Sequence, residues 1–147
     1  MSFTQIRPVE TETDFRALWQ LRAQILRPGR PETDGHFAGD DAPTTKHWAA
    51  WQNNVCVGVV SVFENHGLQL RGMATAPAVR GTGIGARLLH EAHVYARAQQ
   101  QPLWCNARTS AVGFYEKHGW TIESDVFEIQ DVGPHVVMRW KNEQQAP

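Results

Sequence analysis

Apolar positions in this chain fall into short runs, most with the period of a strand and three with the period of a helix. Phe3 to Val9 predicts a first short strand. Thr11 or Thr13 can then cap a helix running to about Leu26, with Asp14 in its first turn. The apolar stripe of that helix is Phe15, Leu18, Trp19, Ile25 and Leu26, and Arg22 falls on the same stripe. His47 to Gln52 and Val55 to Phe63, either side of Asn53-Asn54, predict a hairpin. Glu64 to Gly67 reads as a turn, and Leu68 to Ala76 as a further strand.

A second helix is predicted over Gly83 to Gln100, where Ile84, Leu88, Ala92 and Tyr95 share a face, with Pro102 just beyond its end. Leu103 to Asn106 is a short strand, and Ser110 to His118 a third helix with Gly119 as its left-handed cap. Trp120 to Ile129 and Val136 to Trp140 close the pattern as two strands joined through Asp131 to Pro134. Between the first helix and the hairpin, Arg27 to Thr45 is rich in Pro, Gly and Asp and predicts a long irregular loop. Lys141 to Pro147 is polar and is expected to fray. An antiparallel meander followed by a crossover helix between strands places the chain in the α/β class, as an α+β mixed sheet.

Composition narrows this reading little. A chain of 147 residues suits one domain over 1–147, and 41% apolar with 20% charged residues is ordinary for a globular protein. A net charge of −1 argues against nucleic acid or an anionic membrane as partner. Cys56 and Cys105 are the only cysteines, too few for a disulfide scaffold, so a cytoplasmic, reducing location is expected. The first residues show no signal-peptide pattern, and no apolar run approaches the roughly 20 residues that span a bilayer.

The candidate chemistry lies in Arg80-Gly81-Thr82-Gly83-Ile84-Gly85, between a predicted strand and a predicted helix. A helix start presents unpaired N–H groups and the positive end of the helix dipole. Glycines let an anion approach the backbone, and Arg80 adds a phosphate donor. Taken alone, the loop reads equally as a tight turn. No Lys-Ser or Lys-Thr follows, which excludes a Walker A loop, and the next strand lacks the acidic residue of a dinucleotide fingerprint.

The stretch from Met73 to Leu89 resembles the acyl-CoA-binding motif of the GNAT superfamily of N-acetyltransferases, with Arg80, Gly83 and Gly85 on its core pattern. Ala111 to Trp120 is similar to the helix after that family's fifth strand, and the two motifs stand in the family's order. More locally, Leu21-Arg22 and Val132 to Met138 resemble an ElaA-like subgroup. The resemblance implies a mostly antiparallel sheet of six to seven strands with about four helices. It also implies acetyl-CoA as co-substrate and an amine of a small molecule or protein as acceptor. A CoA-binding or sensing module without turnover is the alternative.

The resemblance further implies that Met73, Ala74 and Thr75 hold the pantetheine arm and thioester, and that Arg80, Gly81, Thr82, Gly83 and Gly85 hold the pyrophosphate. Tyr115 falls on the family's general acid, although helical spacing alone would make Phe114 and Tyr115 core aromatics. Asn106 is expected either to bind pantetheine, to hold Tyr115, or simply to end a strand. For the base, Glu64, Glu128, His135 or a water relay remain open. Arg22 either holds an acceptor carboxylate or pairs internally with Asp40 or Asp41. Glu32, Asp34, Asp40 and Asp41 either attract a cationic amine or are solvated. His36, Asp40, Asp41 and His47, like His90 with His93, form no compact ligand motif, so no metal is assigned. Cys105 reads as inert core rather than acyl carrier. Exposed edge strands of such a fold can pair between subunits, which makes a homodimer an open expectation.

Overall fold

The computed structural model describes residues 3–142. Its strands are β1 (Thr4–Pro8), β2 (Lys46–Gln52), β3 (Val55–Glu64), β4 (Leu68–Thr75), β5 (Leu103–Arg108), β6 (Trp120–Ile122), β7 (Phe127–Ile129) and β8 (Gly133–Trp140). Three α-helices join them: α1 (Glu12–Leu26), α2 (Ile84–Gln99) and α3 (Val112–Lys117). The strands form one sheet in the order β1-β2-β3-β4-β5-β8-β6, with β7 also on β8, and only β4 and β5 run parallel.

Local chemistry accounts for the boundaries. Thr11 caps α1 through a capping box: its Oγ1 accepts the Asp14 N–H at 3.0 Å, and Asp14 reaches back to the Thr11 N–H. Arg7 donates to the same carboxylate at 2.8 Å, and this bond holds the Asp14 pKa below its ordinary value. Asn53 and Asn54 have φ of 51° and 63°, the double left-handed conformation that turns a tight hairpin.

The mixed sheet is as expected, while its strand count is eight rather than six to seven. The extra strand comes from a break in Trp120 to Ile129, where the Ser124 hydroxyl accepts the Val137 N–H at 2.8 Å in place of a backbone carbonyl. The expected fourth helix is absent among the described residues. Short 3-10 turns at Glu32–Gly35, Pro77–Val79 and Thr109–Ala111 stand beside the three α-helices.

Helix α1 covers one face of the sheet, where Leu18 and Leu21 meet Ala49, Val59 and Ala74. The other face carries α2 and α3, with Leu88, Leu89, Ala92 and Tyr115 against Val60, Val62, Leu70 and Met138. Strand β3 is covered on both sides, which explains why every residue from Val57 to Val62 is buried and all but Gly58 and Ser61 are valine.

A polar cluster lies inside this core. Arg22 is fully buried, and its Nη1 donates to Asp40 Oδ2 at 2.7 Å and to the Gly35 carbonyl at 3.1 Å. Its Nη2 donates to Ser61 Oγ at 2.6 Å. His47 Nε2 can only donate to the Asp40 carbonyl at 3.0 Å, so Nδ1 accepts the Ser61 hydroxyl at 2.5 Å. Burial drives the His47 pKa down, in keeping with this neutral ring. Of the two roles open to Arg22, the internal pair is the one found, and it fastens the 27–45 loop to the sheet.

The guanidinium also sits against an irregularity in β4. Pairing with β3 passes from Ser61↔Arg71 to Val59↔Ala74, leaving one extra residue on β4 as a bulge. Gly72 occupies it at φ +64°, and a Cβ there would lie 2.5 Å from Arg22 Nε. Only glycine satisfies both the conformation and the contact.

Two stability predictions follow from these contacts. Arg22→Ala leaves Asp40 buried without its strongest partner and is expected to lower the unfolding free energy by about 3–5 kcal/mol in a urea titration. A loss under about 1 kcal/mol would show that the loop does not depend on this pair. The second concerns His93 on α2, whose Nε2 accepts the Trp120 indole N–H at 3.0 Å and whose ring stacks on Trp140 at 4.0 Å. Burial, helped by His118, holds its pKa down at about 4, against 6.5 for a free ring. Below pH 6.5 the unfolded chain therefore takes up a proton that the folded chain refuses. Stability should fall as pH drops from about 6.5 to 4, and His93→Gln should flatten part of that slope in melting curves. An identical slope in the variant would remove His93 as its source.

Candidate active site

Strands β4 and β5 pair only at Leu68↔Leu103 and Gln69↔Trp104, and then diverge. Beyond Gln69 the β5-facing edge of β4 has no strand partner, so its backbone N–H and C=O groups are open to a ligand. A cavity of about 330 Å³ lies in this gap. It is lined from the α1 face by Leu26, Arg27 and Phe37, and from the α3 face by Cys105 and Tyr115. Ile129 of β7, Val132 of the turn after it and His135 of β8 close it. No carboxylate lines it among the described residues.

Tyr115 is buried by Phe114 and Trp120, whose rings stand 5.4 Å and 5.1 Å away. Its O–H points at Met73 Sδ, 3.9 Å across the gap, and lies beside the Cys105 thiol. Burial, and then the neighbouring thiol, push the phenol pKa well above its ordinary value, so the group is a neutral O–H. Burial likewise raises the Cys105 thiol to about 12, and a thiol that keeps its proton is a poor nucleophile.

The glycine loop precedes α2, with Gly83 as its N-cap at φ +88° and Gly81 at φ +80°. Both need glycine for the backbone alone, and nothing lies within 4 Å of where their Cβ atoms would be. The N–H groups of Ile84, Gly85 and Ala86 precede the first bond of the helix, from Arg87 N–H to the Gly83 carbonyl. Thr82 Oγ1 donates to the Val79 carbonyl at 2.5 Å and fixes the turn. Arg80 is exposed and forms no ion pair among the described residues. A Cβ on Gly85 would reach Phe114 at 3.6 Å and Thr75 at 3.9 Å, so the loop, the end of β4 and α3 meet at one point. Unpaired N–H groups, a free guanidinium, open space and no acid from Ala76 to Leu89 suit a pyrophosphate.

Most of the expected site residues converge here. Met73, Asn106 and Tyr115 line the cavity, while Thr75 leads from it to the loop. Ala74 turns its side chain into the α1 core and has only its backbone to offer. Asn106 is exposed and does not bond Tyr115. Of the three candidate bases, His135 alone lines the cavity, with Nδ1 bonded to the Gly133 carbonyl at 2.7 Å. Glu64 lies in a separate surface hollow with Tyr95, and Glu128 is exposed on β7.

The acidic residues after α1 are engaged or turned away. Asp34 pairs with Arg30 at 2.8 Å, Asp41 with His36 at 3.0 Å, and Asp40 is buried on Arg22. Glu32 is exposed beside a different hollow. Arg27 and Arg108, absent from the expected site, line the cavity. Their one sequence signal is weak: Arg108 follows Asn106 by the two residues that keep a strand face.

Three comparisons bear on the family. Residues 34–142 match the model of the acetyltransferase (GNAT) domain. The uncharacterized N-acetyltransferase YitI of Bacillus subtilis is 30% identical over 129 residues, covering 82% of this chain and 87% of that one. Among solved structures, Escherichia coli ElaA superposes with a TM-score of 0.81 at 20% identity, over 96% of this chain and 100% of that one. An aminoglycoside 6'-N-acetyltransferase complexed with coenzyme A superposes at 0.77 with 14% identity, over 92% and 95%. No helix among the described residues is long and apolar enough to cross a membrane. With its diverging parallel strands, its glycine loop at the start of α2 and this family match, the chain belongs to the GNAT family of N-acetyltransferases.

Proposed function

We propose that the chain transfers an acetyl group from acetyl-CoA to a primary amine by direct attack, as a single catalytic domain in the cytoplasm. The observation that carries this reading is the single path from the Arg80–Gly85 anion cradle, past Thr75, to the Tyr115 hydroxyl in the β4–β5 gap. The coenzyme A complex of the aminoglycoside enzyme, which has the same fold, supports the choice of donor.

In the overall reaction a C–S bond breaks, a C–N bond forms, and one proton passes from nitrogen to sulfur. The thioester supplies an activated acetyl group; the chain's residues orient it and move the proton. Arg80 and the Gly83 to Ala86 N–H groups bind the pyrophosphate, with Gly81 and Thr82 shaping the turn. The unpaired edge of β4 at Met73 to Thr75 supplies N–H groups to the pantetheine arm and to an oxyanion, where one such donor contributes about 3 kcal/mol. Asn106, at the opposite side of the gap, offers its amide to the same arm.

Tyr115 is the acid. Its burial keeps the O–H protonated at any working pH, ready to donate to sulfur as charge develops there. His135 is the base the geometry favours, because neither Glu64 nor Glu128 lines the cavity. Its Nδ1–H donates to the Gly133 carbonyl, which leaves Nε2 with its lone pair, directly or through water, for the amine proton. Cys105, held as a thiol by its burial, takes no acetyl group.

Incubation with acetyl-CoA and an amine panel, followed by free-thiol release, tests the reading. Tight CoA binding without thiol release on any amine would instead favour a sensing module. Tyr115→Phe is expected to lower kcat by about 100-fold while leaving CoA affinity nearly unchanged; equal turnover would remove it from the mechanism. Arg80→Ala should weaken CoA binding about 10-fold by calorimetry, and an unchanged affinity would sink the cradle assignment.

A further inference from the structure

Two arginines in the cavity have no anion of their own. Arg27, just past the end of α1, donates from Nη1 to the Leu26 carbonyl at 2.9 Å. Arg108, the last residue of β5, donates from Nη2 to that same oxygen at 3.1 Å. Each fork spends one N–H on this carbonyl and keeps the rest for a ligand. Neither forms an ion pair among the described residues. The third arginine of the lining differs, since Arg71 donates to the Ala38 carbonyl and to Asp40 Oδ1 at 3.4 Å.

Two half-buried guanidiniums converging on one carbonyl repel each other. Burial, and next Arg108 itself, lower the pKa of Arg27. Asp34, paired with Arg30 outside the lining, offsets this repulsion only in part, and no carboxylate among the described residues lines the cavity. An anionic group on the acceptor would relieve it, and two adjacent planar forks match a carboxylate's two oxygens. Around them Leu26, Phe37, Leu70, Ile129 and Val132 form apolar walls, suited to a ligand with an apolar body.

We propose that Arg27 and Arg108 form the acid-binding end of the acceptor pocket, so that the amine acetylated is that of an apolar amino carboxylate. The proposal rests on the acetyl-transfer reading above. The substrate's carboxylate lies on the two forks, its apolar body against the Phe37 and Val132 walls, and its amine toward Tyr115 and His135. A diamine or an aminosugar would bring a second positive charge against the pair and is disfavoured.

The test measures binding as well as turnover. With CoA present, leucine, phenylalanine and their β-amino analogues are titrated by calorimetry beside leucinamide and phenylalaninamide, and inorganic phosphate is added as a competitor. At least one amino carboxylate should bind about 10-fold or more tightly than its amide. Arg27→Gln and Arg108→Gln should each erase that difference while keeping CoA affinity, which also reports that the variants fold. In thiol release the same variants should raise KM for the acid by about 10-fold with a smaller change in kcat. Equal binding of acid and amide, no binding of any amino carboxylate, or a preference that survives both substitutions overturns the proposal. Phosphate displacing the acids at equal concentration also overturns it, as a generic anion site. If the acids fail while other amines release thiol, the acetyl-transfer reading stands and only the acceptor assignment falls. If CoA itself does not bind, the acetyl-transfer reading falls first and the acceptor assignment with it.

Discussion

The chain's chemistry depends on one constraint: two parallel strands must separate after two residue pairs without collapsing or unravelling. A parted ladder leaves backbone groups unpaired, which a fold tolerates only if the strands are held from outside the gap. Here β4 is held by β3 along its whole length and bent by the bulge at Gly72, while β5 is held by β8. The bulge in turn rests on Arg22, whose burial is tolerable because Asp40, Ser61 and the Gly35 carbonyl satisfy its two terminal nitrogens. A buried charge that does not itself line the cavity thus keeps the gap in shape. The same guanidinium fastens the loop whose Phe37 walls the cavity.

Much of this was legible in the residues. The capping box at Thr11, the Asn53-Asn54 hairpin and the glycine caps depend on neighbours a few positions apart, and all three stand where their local chemistry puts them. The glycine loop and the Tyr115 helix carry motifs whose residues and order together point to the family. What lay hidden is set by contacts distant in sequence. The bulge depends on Arg22, about fifty residues before Gly72. The break after Ile122 depends on Ser124 meeting a strand that arrives later. Arg108 reaches back 82 positions to the Leu26 carbonyl that Arg27 also bonds, so no window of sequence joins them. Arg22 was ambiguous for the same reason, because periodicity shows that a charge is buried but not which acid waits for it.

The site also divides its work between rigid and adjustable parts. Tyr115, Met73 and Cys105 belong to strands and a helix within or packed on the core, and they form its side of the cavity. The 27–45 loop, fastened by Asp40 on Arg22, and the turn before β8 form the outer walls. On the proposed reading, variation in those walls changes the acceptor and leaves the donor side intact, because the glycine loop lies beyond the far end of β4.

The cavity is lined from both faces of the sheet, by Phe37 and Arg27 on one and by Tyr115 and Cys105 on the other. On the acetyl-transfer reading proposed above, donor and acceptor meet in this one cavity, and no residue carries the acyl group between visits. The steady-state signature of such an architecture is a ternary complex, with double-reciprocal lines that intersect rather than run parallel.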